Sequence, residues 1–145
     1  MPMSAAERTW CLVVPHHPAG AGQARHRLAA ELASIIRPEL ISNAVAVLAE
    51  LVGNAVRHGT PLPGDVIRVA WRVRWAGGAE IVDVRVTDGG AVTEPQLRDG
   101  SLDATDGRGL AIVQALANSW GVERDGLGQS VWAEVSWPSH QPAAV

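Results

Sequence analysis

Alternating apolar and polar positions predict two neighbouring strands in the middle of the chain. Between residues 66 and 75 apolar side chains alternate with arginines, which is the pattern of a strand that buries one face. Gly77-Gly78 predicts a tight turn into a second strand over residues 80–87. Shorter apolar runs predict further strands at residues 9–14, near Val122 and at residues 130–137.

Apolar positions at helical spacing predict three helices, over residues 18–36, 40–58 and 109–119. Pro38 is expected to end the first helix and Gly59 the second. A polar segment at residues 88–108 is expected to be a loop, and a loop of that length inside a domain commonly serves function. The order β-α-α-β-β-loop-α-β-β predicts an α+β fold, a two-layer α/β sandwich whose mainly antiparallel sheet is covered on one face by helices.

The length and composition are those of one globular domain. The chain has 145 residues, of which 47% are hydrophobic and 19% charged, and this composition excludes wholesale disorder. We expect the domain to span residues 9–137, with flexible termini at residues 1–8 and 138–145. The single cysteine, the lack of a signal-like N-terminus and the lack of a long apolar run favour a cytoplasmic protein without a membrane partner.

The charged residues exclude several kinds of site. The net charge is −3, and all 12 basic residues are arginine. A mildly acidic chain without a basic block is not expected to bind nucleic acid. Because the sequence contains no lysine, it cannot form a site that depends on a Walker A or Schiff-base lysine. A phosphorylated ligand would therefore have to be neutralised by arginine, backbone amides or a metal ion.

The second predicted helix carries a row of polar residues. Asn54 and His58 follow Glu50 at four-residue intervals, so the three side chains lie on one side of the helix. The row is either the lining of a pocket or a solvated helix face. Gly53 and Asn54 are both unfavourable in a helix interior, which favours a helix whose backbone is approached by a ligand.

Asp88 stands at the end of the strand over residues 80–87. It continues the phase of the buried valines, so its carboxylate is expected to point inward. An inward carboxylate needs hydrogen-bond donors, and the amino group of a ligand such as adenine would be one. The alternative is an aspartate that caps the turn before Gly89.

Gly107, Arg108 and Gly109 come directly before the third predicted helix. Amide groups at a helix N-terminus favour a bound anion, although Asp106 could simply cap the helix. His16-His17 lies between two prolines and is expected to belong to a loop, because two adjacent histidines without a third ligand rarely form a metal site.

Three segments in this order resemble the GHKL (Bergerat-fold) ATP-binding family. ELVGNAVRHG is similar to the N box of that family, VTDGG to the first glycine box and GRGLAIVQALANSWG to the second. Within the family, the chain most resembles the small serine kinases that act as anti-sigma factors. The resemblance covers residues 9–137 and implies the Bergerat type of α/β sandwich.

The resemblance implies a role for each matching position. Asn54 would coordinate the Mg²⁺ that bridges the ATP phosphates, and Glu50 would be the catalytic base that deprotonates an acceptor hydroxyl. Asp88 would accept from the adenine amine, and His58 would support the site. The remaining nucleotide contacts would come from Gly90 near the adenine ring, from Gly107, Arg108, Gly109 and Leu110 in the lid over the phosphates, and from Ser130 near the base. Gln129 stands where many members have lysine and Gly90 where many have serine, which bears on phosphate affinity and turnover.

The implied function is an ATP-dependent protein serine/threonine kinase. It would phosphorylate an anti-sigma-factor antagonist protein and sequester a sigma factor, with ATP and Mg²⁺ as cofactors. A homodimer is also implied, because family members commonly dimerise. One alternative is a nucleotide-gated protein-binding module without significant kinase activity. Another is part of a larger sensor histidine kinase, but the 49 residues before Glu50 are too few for the long helices that carry a phosphoacceptor histidine.

Overall fold

The computed structural model describes residues 7–90, 104–126 and 128–139, with the backbone alone at residues 104–109. In these ranges the helices and strands follow the predicted order. They are β1 (Arg8–Pro15), α1 (Pro18–Leu32), α2 (Pro38–His58), β2 (Val66–Ala76), β3 (Ala79–Asp88), α3 (Ala104–Leu116), β4 (Ser119–Asp125) and β5 (Gly128–Trp137).

The five strands form one antiparallel sheet in the order β1-β2-β3-β5-β4. β3 lies at its centre, between β2 and β5. In the register of β3 with β5, Asp88 is paired with Gln129 and Thr87 with Ser130. The C-terminal end of β3 therefore lies beside the N-terminal end of β5, and successive residues there point to opposite faces of the sheet.

The helices cover one face of this sheet, so the predicted α+β sandwich is confirmed. α2 packs on β3 and β5 and is flanked by α1 and α3. The core between the layers is built from alternate strand residues and from one side of each helix. Its fully buried members include Leu28, Leu48, Val69, Trp71, Val82 and Ala133. α2 has 21 residues and a mean hydropathy of 1.4, enough by length and composition to cross a membrane, but here it is the central helix of the core.

The opposite face of the sheet is polar and uses many of the arginines. The guanidinium of Arg74 lies between the carboxylates of Asp83 and Glu134, at 2.8 and 2.9 Å. Arg85 pairs with Glu123 at 2.9 Å. Exposed ion pairs of this kind contribute little to stability, about 0–1 kcal/mol each. They explain the alternating arginines of β2 as a solvated face.

Two helix boundaries differ from the prediction. α1 ends at Leu32, and Pro38 begins α2 instead of ending the helix before it. Proline is favoured at the first helical position, because its missing N–H has no partner there in any case. α3 begins at Ala104, five residues before the predicted start, and ends at Leu116. Its end is set where the Asn118 amide donates to the Glu134 carbonyl, which joins the chain to the sheet.

Candidate functional site

α2 brings Asn54 to the end of β3, where it lines a cavity together with Asp88. In this helix Ile41 and Val45 are only partly buried, whereas Leu51 and Asn54 are buried. The side chain of Asn54 is only 6% exposed. The polar row is therefore not a solvated helix face at this position, because Asn54 points into the protein.

The amide of Asn54 is only half satisfied. Its Oδ1 accepts a hydrogen bond of 2.9 Å from Nη2 of Arg57. A guanidinium can only donate, so the atom facing it must be the oxygen, and Nδ2 is left buried without a partner. A buried unpaired donor costs about 1–3 kcal/mol. Such a group is expected where a ligand brings an acceptor.

Glu50 lies one helical turn before Asn54 and is partly exposed. Among the residues that the structure describes, its carboxylate has no hydrogen bond or ion pair. His58 is exposed and lies one turn after Asn54. The carboxylate of Glu50 is therefore accessible and free to accept a proton from a bound group.

Asp88 is buried as predicted, with 3% of its surface exposed. Its Oδ1 accepts the amide of Gly90 at 2.7 Å. Burial raises the pKa of Asp88 above its ordinary value of 3.8, while the Gly90 amide and the neighbouring His16 act in the opposite direction. Asp88 thus combines the turn-capping role with that of a desolvated carboxylate, which is a strong acceptor for a ligand donor.

Gly59 follows α2 for a reason that differs from the predicted one. It is not in the left-handed conformation of a helix-ending glycine, since its φ is −93°. A Cβ at this position would collide with Oδ2 and Cγ of Asp88. Glycine is required because the end of α2 packs directly against the carboxylate of Asp88.

Substitution of Gly59 by alanine is expected to destabilise the protein by about 1–3 kcal/mol, because either the carboxylate or the end of α2 must move. Gly126→Ala is the matched control, since a Cβ there would meet no atom within 4 Å; we expect it to stay within about 0.5 kcal/mol of the parent. Urea unfolding of both variants measures the difference. Equal stabilities would show that Gly59 is not held against Asp88.

The glycines after Asp88 are held by Thr60. The carbonyl of Thr60 accepts a hydrogen bond of 2.7 Å from the amide of Gly89. The amide and the hydroxyl of Thr60 both donate to the carbonyl of Gly90, at 2.8 and 3.0 Å. Gly90 has φ +111°, which strongly favours glycine, and a Cβ there would meet no atom within 4 Å. Among the described residues, none therefore blocks the space beside Gly90, and the approach of an adenine ring there stays a prediction.

Ser130 is not brought to this site, which corrects its expected place beside the base. It is paired with Thr87 on the polar face of the sheet, where the two hydroxyl oxygens are 2.7 Å apart. Gln129, paired with Asp88, points to the helix side and is 2% exposed. Its Oε1 accepts from Nε of Arg124 at 2.8 Å. The alternation of a strand allows only one of these two neighbours to face Asp88, and it is Gln129.

The predicted lid lies only partly in the described residues. Residues 91–103 lie outside them, and so does the side chain of Arg108. The expected role of Gly107 and Gly109 rests on their backbone amides. Their backbone belongs to α3, and Gly109 lies in its second turn. Leu110, the next residue, is buried with 3% exposure. The anion site expected at the start of a helix would therefore lie at Ala104, and the lid role of these four residues stays a prediction.

A small cavity lies between α2 and the end of β3 and is lined by neither Glu50 nor Gly90. Its polar lining comes from Asn54, His58, Asp88 and Gln129, and its apolar lining includes Leu51 and Val86. Its volume is about 10 Å³, which is room for about one water molecule. An adenine ring is larger than this cavity and would have to lie outside it.

The sequence profile of the histidine kinase-like ATPase domain family matches residues 14–135, most of the chain. The chain belongs to this family. The GHKL assignment is thereby confirmed, and ATP binding follows from the domain.

Two further comparisons complete this finding. The chain is similar to a histidine kinase domain from the blue-light activated histidine kinase of Erythrobacter litoralis EL346, with 19% identity and a TM-score of 0.46. The match covers 83% of this chain and 60% of that one, so the chain spans about three fifths of that structure's length. No curated protein matches the sequence.

The oxygen ligand that Asn54 offers in this histidine kinase-like ATPase domain fits a magnesium nucleotide. Mg²⁺ takes oxygen ligands and is commonly held by one or two protein oxygens together with substrate phosphates. Asn54 Oδ1 already faces a cationic group, the guanidinium of Arg57, so a cation suits this position. Among the described residues no cluster of three or more His, Cys, Asp or Glu could hold a metal.

Several residues that shape the site lie outside the motifs that predict it. Nε2 of His16 lies 3.1 Å from the Ala55 carbonyl and 3.0 Å from that of Gly59, so it donates to the last turn of α2. His17 caps α1 by accepting the Ala19 amide at 3.0 Å. The two histidines therefore brace helix ends, which agrees with the loop interpretation. Neither His16 nor Thr60 belongs to a local motif, so only the tertiary contacts identify them.

Proposed function

We propose that this chain is a protein serine/threonine kinase of the anti-sigma-factor type. It would use ATP and Mg²⁺ to phosphorylate an antagonist protein, and it would sequester a sigma factor. The observation that carries the proposal is the pairing of two groups on α2: a free carboxylate at Glu50 and, one turn later, a buried amide at Asn54 with an unpaired donor. This places a proton acceptor beside a polar group that requires a ligand.

Each residue has a separate task in the proposed reaction. Asp88 and a water in the adjoining cavity would hold the adenine amine, and Asn54 would hold the metal. Mg²⁺, when bound, would neutralise the charge of the phosphate chain. Glu50 would take the proton of the acceptor hydroxyl. The oxygen of that hydroxyl would bond to the γ-phosphorus, and the bond from the γ-phosphorus to the oxygen of the leaving ADP would break. A positioned base of this kind contributes typically about 10²–10⁴-fold to the rate.

The arginine-only composition agrees with this division of tasks. Phosphoryl transfer is catalysed mainly by positioning and by neutralising charge, and a metal with backbone amides can supply both without lysine. A cytoplasmic location and a homodimer belong to the same proposal, since sigma factors and their antagonists act inside the cell.

Two observations favour a second candidate, a nucleotide-gated binding module without significant kinase activity. The oxygen of Asn54 that would ligate Mg²⁺ is held by Arg57, and Gln129 stands where many members have lysine. Both features weaken the expected hold on the phosphates. In this candidate, bound ATP would change the affinity for a partner without phosphoryl transfer.

Incubation of the purified chain with Mg²⁺ and γ-labelled ATP, together with antagonist-like proteins encoded by neighbouring genes, separates the two candidates. The kinase proposal predicts acid-stable phosphoserine or phosphothreonine on one of these proteins. ATP binding that alters partner affinity without transfer of label would favour the gated module. Absence of ATP binding would contradict both.

A further inference from the structure

We propose that Arg57 is a cationic latch that competes with Mg²⁺ for the side-chain oxygen of Asn54. The inference deepens the proposed function, because it rests on a magnesium nucleotide binding at Asn54. It does not depend on phosphoryl transfer. In the latch, the guanidinium holds Asn54 Oδ1 while the metal is absent and is displaced when the metal coordinates that atom.

The hydrogen bond between Arg57 and Asn54 involves the oxygen that would ligate the metal. Nη2 of Arg57 donates to Asn54 Oδ1 at 2.9 Å, across one turn of α2. Mg²⁺ coordinates oxygens at about 2.0–2.1 Å and demands near-ideal octahedral geometry. An amide oxygen has two lone pairs, but two positive groups at one oxygen repel each other, so binding of the metal disfavours the contact with the guanidinium.

The hydrogen-bond partner of Arg57 is a neutral amide. Arginine on a protein surface usually pairs with a carboxylate or with water. Among the described residues Arg57 makes no ion pair, and its hydrogen bond goes to a neutral amide. The guanidinium therefore contacts Asn54 Oδ1 without the ion pair that a carboxylate partner would provide. Hydrogen bonds to charged groups typically contribute more than those between neutral groups.

The guanidinium of Arg57 occupies space that a glycine leaves beside the helix. It lies along α2 over Gly53, where a Cβ would be 3.0 Å from Nη1 of Arg57. Gly53 is costly in a helix interior, and this packing gives a physical reason for it. A larger residue at position 53 would push the guanidinium away while leaving its charge on the protein.

The experiment measures how much Mg²⁺ is needed for tight ATP binding, by calorimetry or equilibrium dialysis over a series of Mg²⁺ concentrations. Arg57→Ala is expected to lower the Mg²⁺ concentration at half-effect about tenfold or more, the factor equivalent to one charged hydrogen bond. Gly53→Leu is expected to shift it in the same direction without removing a charge. Arg25→Ala, which removes an exposed arginine on α1, should leave it unchanged.

A purely structural role for Arg57 gives a different result. It would lower the stability of α2 slightly and leave the Mg²⁺ requirement as in the parent protein. An unchanged requirement in Arg57→Ala, with ATP still bound, therefore overturns the latch alone. Failure of the parent chain to bind ATP at any Mg²⁺ concentration overturns both the latch and the proposed function.

Discussion

Replacement of Glu50 by glutamine is expected to reduce phosphoryl transfer by about 10²–10⁴-fold while ATP affinity stays within about twofold. The carboxylate is accessible and, in the described part of the chain, unpaired. Its removal therefore breaks no contact of the fold. Glutamine keeps the size and polarity of the side chain but cannot accept the proton of the acceptor hydroxyl. Transfer of labelled phosphate and ATP binding are measured on the same preparation.

Glu39→Gln is the matched control for this substitution. Glu39 lies in the first turn of the same helix, far along α2 from Asn54, and its neutralisation should leave both readouts unchanged. A Glu50→Gln variant that retains normal transfer would show that Glu50 is not the base. A variant that loses ATP binding as well would instead place Glu50 among the groups that hold the nucleotide.

Replacement of Asp88 by asparagine is expected to have two opposite effects. ATP affinity should fall about 10–100-fold, because the amine of adenine loses a charged acceptor worth about 1.5–3 kcal/mol. The nucleotide-free protein, in contrast, should become more stable at neutral pH. Burial disfavours the ionised carboxylate of Asp88, and asparagine fills the same space without a charge. A change that stabilises the fold and weakens the ligand is typical of a binding site.

The gain in stability expected for Asp88→Asn should depend on pH. Because the pKa of Asp88 in the folded protein is raised above 3.8, its contribution to stability is fully present below that value and is lost as pH rises through the folded pKa. The stability advantage of Asp88→Asn should thus be present at neutral pH and shrink as the pH falls toward 3.8. Urea unfolding across this range tests it. A variant that is less stable at neutral pH would contradict the argument from burial.

The fold was largely predictable because buried and exposed positions alternate along most of β2 and β3. The arginines of β2 and the valines of β3 assign one face of each strand to water and one to the core, and glycine pairs mark the turn between them. The helix boundaries were less predictable, since proline both ends one helix and begins the next. Pro38 belongs to α2 because the chain between Leu32 and Arg37 turns to let the two helices pack.

The candidate site was predictable where it depends on local spacing. Glu50 and Asn54 are joined by one helical turn, and Asp88 continues the phase of a buried strand, so periodicity alone places them. Ser130 was misplaced because its face depends on the register of β5 against β3, which a single strand does not reveal. Gly59 was assigned to helix termination, but a contact with Asp88 across the fold requires it.

Calorimetric titration of the chain with Mg²⁺-ATP, alongside Asp88→Asn and Ser130→Ala, tests the location of the nucleotide most directly. We predict saturable 1:1 binding by the parent chain, about 10–100-fold weaker binding by Asp88→Asn, and unchanged binding by Ser130→Ala, whose hydroxyl lies on the opposite face of the sheet. No saturable heat with the parent chain, or equal affinities for the parent and Asp88→Asn, would contradict a nucleotide site at the end of β3.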